Sequence, residues 1–127
     1  MMQTIRIALF VVVLGGVPLG ARAQAVPDSA AIRAARATLD TNLRNIATAQ
    51  EAYFADHEAY ASSVHMLADV FRSSAGVTVV IVTASDATYS ALATIDRVPG
   101  LVCEWYLQLA APPLGTGNPE TVDCRGP

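Results

Sequence analysis

The chain has 127 residues and a formal net charge of −3, with eleven Asp and Glu set against eight basic residues, all of them Arg. That length supports one domain rather than two. An acidic chain without Lys excludes a nucleic-acid binder, and equally a protein held on anionic lipid headgroups.

The first 23 residues have the layout of a removable export signal. Residues 1–6 are short and positively charged, residues 7–14 are an unbroken apolar run, and Gly15, Gly16 and Pro18 end it. Ala21 and Ala23 place small residues at the two positions read by a signal peptidase. A cut after Ala23 leaves residues 24–127 as the single domain, and a cut after Ala25 is the alternative. The apolar run is shorter than the roughly 20 residues a spanning helix needs, so the expectation is a periplasmic or extracellular protein with no stable membrane anchor after cleavage. Without Arg6 and Arg22, six Arg face eleven acids and the net charge becomes −5. Export and an even cysteine count favour a disulfide between Cys103 and Cys124. A metal-binding pair and a bridge between two chains are the alternatives.

Pro27 followed by Asp28 reads as a helix start, with Asp28 as N-cap. One helix is expected from Ser29 to about His57, roughly 43 Å long at about 1.5 Å per residue. Its apolar seam is Leu39, Leu43, Ile46, Tyr53 and Tyr60, with Gln50 and His57 at the remaining positions. The Ala- and Arg-rich start, residues 29–38, has little apolar surface and is expected to project or to meet a partner. Residues 58–61 form the exit turn. A short helix over 64–71, capped by Ser62 or Ser63, presents Val64, Leu67 and Phe71 to the core. Residues 77–83 are β-branched throughout and predict a strand. Residues 88–95 alternate, with Tyr89, Ala91, Ala93 and Ile95 on one face. Residues 101–109 predict a third strand with Leu101, Cys103, Trp105, Leu107 and Leu109 on one face. Residues 110–119, with three Pro and two Gly, are loop. Residues 121–124 are a short last strand or a tether. Consecutive strands on short connections pair antiparallel, so the expected fold is α+β: a long N-terminal helix packed on a three- to four-stranded antiparallel sheet.

The wording of Leu43-Arg44-Asn45-Ile46-Ala47-Thr48-Ala49-Gln50-Glu51-Ala52-Tyr53-Phe54-Ala55-Asp56-His57, then Tyr60-Ala61 and the short helix near Leu67, resembles the globular domain of type IV pilins and type II secretion pseudopilins. The likeness covers residues 37–67 by wording and the remainder by element order and the cysteine pair. It implies a long helix, a sheet laid across it and a C-terminal loop closed by a disulfide. Pilins also carry a Gly-Phe leader junction and an apolar stalk with an early Glu. Here no such junction occurs and the first Glu is Glu51. The resemblance therefore implies a soluble, exported pilin-like domain without its polymerising stalk. Such a domain would be a non-enzymatic structural or interaction protein, with an envelope, pilus or secretion-system protein as partner.

The second functional reading is a small ligand- or metal-binding module, or enzyme, built on Asp56, His57, Glu58 and His65, with Asp69 nearby. The spacing of the two His matches no helix ligand pattern, and a His at a helix C-terminus is favoured by the helix dipole alone. Ser62 and Ser63 lack a nucleophile-elbow motif and read as caps. Asp86 and Asp96 fall in turns. No catalytic, cofactor or metal residue is assigned. Trp105 and Tyr106 point to opposite faces of the third strand, so one of them is expected at the surface, where with Glu104 it would mark a contact patch.

Overall fold

The structure, a computed structural model, describes residues 28–108, 110–115 and 117–127. The export-signal reading of residues 1–23 and the strand position given to Leu109 lie outside the described residues.

Helix α1 runs Ser29–His57. Asp28 is extended (φ −67°, ψ 165°), and its Oδ1 accepts a 2.7 Å bond from the Ala31 N–H, one of the donors a helix start leaves unpaired. At the other end Glu58 takes a left-handed conformation (φ 55°) and its N–H donates to Phe54 O. The buried face is Ala35, Leu39, Asn42, Leu43, Ile46, Ala49 and Gln50. Burying each Leu or Ile here contributes about 1.5–3 kcal/mol. The seam therefore sits one turn nearer the N-terminus than the periodicity suggested. Tyr53 and Tyr60 are half-buried and His57 is exposed, because the chain leaves the sheet at residue 58.

The helix start stands clear over residues 28–34, apart from half-buried Ile32. From Ala35 onward it is docked, and Arg36 Nη2 donates to Gly126 O at 3.1 Å. The C-terminal arm thus occupies part of the surface that the sequence left free.

The predicted short helix is a single 3₁₀ turn, η1, Val64–Leu67. Ser63 occupies its cap position without a side-chain bond, and Ser62 Oγ donates to Met66 Sδ at 3.3 Å. Only Leu67 and Phe71 are buried in this segment. That is too little apolar surface to hold further turns.

Four strands form one antiparallel sheet in the order β1-β2-β3-β4: β1 Val77–Ala84, β2 Tyr89–Ile95, β3 Val102–Tyr106 and β4 Asp123–Arg125. Ser85 Oγ ties the first turn by accepting from the N–H groups of Ala87 and Thr88, each at 3.1 Å. A bulge at Val82 interrupts the pairing of β1 with β2. Val77, Val79, Ile81, Tyr89, Ala91, Ala93, Ile95, Cys103 and Trp105 join the helix face in one core. Ala91 and Ala93 on the central strand are fully buried, and their small side chains let α1 lie close to the sheet. Trp105 Nε1 donates to the Tyr89 hydroxyl at 3.0 Å, so both polar tips in the core are paired. Burial holds the Tyr89 phenol well above the usual tyrosine range.

Two features of the third strand differ from the expectation. It has five residues, and both of its faces are buried: Trp105 is 8% exposed and Tyr106 5%. The loop after β3 folds back over the outer face, where the Glu120 N–H donates to Tyr106 O at 2.8 Å. No exposed aromatic patch exists on β3. The last segment is a true strand, β4, with Cys124 directly opposite Cys103 and bonded to it.

Candidate functional site

Side chains singled out in the sequence gather at two places, and the C-terminal one is the more tightly built. At the first, the end of α1 and the segment after η1 enclose a groove of about 250 Å³. Tyr53, Asp56 and His57 form one wall, and Met66, Asp69 and Val70 form the other. The His57 ring stacks on Tyr53 with centroids 3.9 Å apart. His57 Nδ1 lies 2.9 Å from Tyr53 O, and a carbonyl only accepts, so this nitrogen holds the proton and donates. Glu58 and His65 do not line the groove and are exposed. Of the predicted cluster, the fold therefore unites Asp56, His57 and Asp69. Among the described residues, no group of three or more His, Cys, Asp or Glu is placed to hold a metal ion. Asp86 and Asp96 lie in the turns at opposite ends of β2 and cannot act together. The groove has acidic edges and, in Met66 and Val70, exposed apolar surface. That combination suits a basic or apolar side chain of a partner.

The second place lies beside the disulfide. The register that pairs Cys103 with Cys124 also pairs Glu104 with Asp123. Glu104 is fully buried; its Oε2 accepts a 2.6 Å bond from the Leu114 N–H, and its Oε1 has no hydrogen-bond partner. Asp123 Oδ2 accepts from the Asn118 N–H at 3.1 Å and from Thr121 Oγ1 at 3.2 Å. Glu104 Oε1 and Asp123 Oδ2 converge on Gly117, where a Cβ would lie 2.6 and 2.5 Å from them. Gly117 also has φ +104°, so both space and backbone require glycine there. The Tyr106 hydroxyl donates to Gly117 O at 2.8 Å. Its pKa is raised by burial first, then by the negative charges of Glu104 and Asp123. The donors are oxygens alone, a set suited to a hard cation rather than to zinc.

Nothing in the local sequence marks Glu104 as buried. The usable signal was indirect: a Pro- and Gly-rich segment between two bonded cysteines must return across the strand it leaves.

Glu104→Gln keeps an oxygen for Leu114 and adds an N–H₂ donor that can face Asp123. The expected outcome at neutral pH is a protein more stable by about 1 kcal/mol, read as a higher urea midpoint. A fall in the midpoint would contradict this reading of the carboxylate pair.

No protein-family model matches the chain, and no curated protein matches it.

Proposed function

We propose that the chain is an exported, non-enzymatic, pilin-like structural or interaction protein of the bacterial envelope or of a pilus or secretion system. The observation that carries this reading is the architecture. A 29-residue helix lies across a four-stranded antiparallel sheet, and a disulfide closes the C-terminal arm onto that sheet. Element order and the cysteine pair are the ground of the likeness to pilins and pseudopilins outside residues 37–67, where it rests on wording. A disulfide is at home in an oxidising compartment, which supports a periplasmic or extracellular location. No helix among the described residues is long and apolar enough to cross a membrane. The contact elements are the free start of α1, with exposed Arg33, and the acidic-edged groove at its other end.

The test is site-specific cross-linking in cells from Ala30 and Ala34, both exposed on the helix start. The expected product is a defined adduct with an envelope, pilus or secretion component. If the purified protein instead holds stoichiometric zinc that is lost in His57→Ala, the reading fails in favour of a metal-binding module.

A further inference from the structure

We propose that β1 is a self-association edge, through which two copies of this chain join their sheets antiparallel about a two-fold axis. This stands apart from the pilin-like reading and does not depend on it. β1 is an outer strand of the sheet. Among the described residues its backbone bonds outside the β1–β2 ladder are confined to its own approach turn, where the Val77 N–H donates to Ser74 O. A free strand edge is a template for another strand unless charges, Pro or bulges blunt it. None of the eight residues of β1 is charged, and none is Pro. Its one protective device is the bulge at Val82, which leaves 77–81 regular. The opposite edge, β4, is protected: it has three residues, two of them the charged Asp123 and Arg125.

Charge selects the occupant. Copies of an acidic chain carry like net charge and repel one another. β1 and β2 together present no charged side chain, so this is where two copies approach at least electrostatic cost. The ends of the strand are complementary. Arg72, Asp96 and Arg97 flank its start, with a net positive charge, and Asp86 follows its end. Antiparallel pairing sets the start of one copy beside the end of the other. A two-fold axis normal to the sheet keeps the outer faces on one side. Val80 and Val82, 52% and 46% exposed, would then share one outer face with their counterparts and lose part of that exposure.

The experiment is sedimentation velocity of the purified protein across a concentration series, beside Val80→Lys and, as a second variant on the same face, Val82→Lys. Both positions are about half exposed, so the variants should melt like the parent. The expected result is a concentration-dependent dimer in the parent, a Kd raised ~tenfold or more in each variant, and slower hydrogen exchange of β1 amides as the dimer forms. A parent that stays monomeric at every concentration overturns the proposal. So does a dimer that both variants form equally well.

Discussion

Ile46→Asp should unfold the domain, whereas Arg44→Asp, two positions away on the same helix, should leave its melting almost unchanged. Ile46 is fully buried at the centre of the face that α1 lays on the sheet, among Leu39, Leu43 and the core strands. An aspartate there is a charge taken out of water with no partner. The penalty, added to the lost apolar burial, reaches several kcal/mol, against a total of roughly 5–15 kcal/mol for a domain of this kind. Arg44 points to solvent and makes an i,i+4 ion pair with Asp40, Nε to Oδ2 at 2.8 Å. An exposed pair of this kind adds little, and losing it costs little. Circular dichroism melts of the two variants decide the matter. Equal melting temperatures would mean that α1 presents a different face.

Breaking the disulfide should give the second-largest effect. Cys103 and Cys124 close a loop of sequence separation 21. Chain-entropy reasoning gives about 3 kcal/mol for a loop of that size. The arm it secures has few other ties: β4 is three residues long, and the loop rests on the Leu114–Glu104, Glu120–Tyr106 and Gly117–Tyr106 bonds. Reduction, or Cys124→Ser, should therefore lower the melting temperature. It should also open residues 110–120 to protease before α1 is cut. Simultaneous cleavage of loop and helix would show that the arm is not a separate layer.

The sequence foretold those parts of the fold that rest on local patterns. Asp28 as cap followed from capping chemistry, and a helix running to about His57 from an uninterrupted helical period. β1 and β2 followed from β-branching and alternation, with bounds shifted by one residue at each. The parts it hid depend on where distant segments return. Gln50 read as a polar filler in the seam. In the structure it is fully buried, donates to Ala61 O at 2.9 Å and accepts from the Ala61 N–H at 2.7 Å, thereby fixing the exit turn. Asn42 likewise clamps Ser74, accepting from its N–H at 2.9 Å and donating to its hydroxyl at 2.9 Å. Neither partner is predictable from spacing, since both sit in turns whose positions the tertiary fold sets. Of the candidate sites, Asp56 and His57 were visible because they are neighbours on one helix. The Glu104–Asp123 pair required the β3–β4 register, which a three-residue strand does not announce.

Intact mass spectrometry of the non-reduced protein recovered from producing cells distinguishes the proposed exported domain, closed by its own disulfide, from a retained or reduced chain. The expected product is a single chain beginning at Gln24 or Val26, with Cys103 and Cys124 bonded to each other and no free thiol. A mature protein that retains residues 7–14, or one with both cysteines reduced, would contradict it.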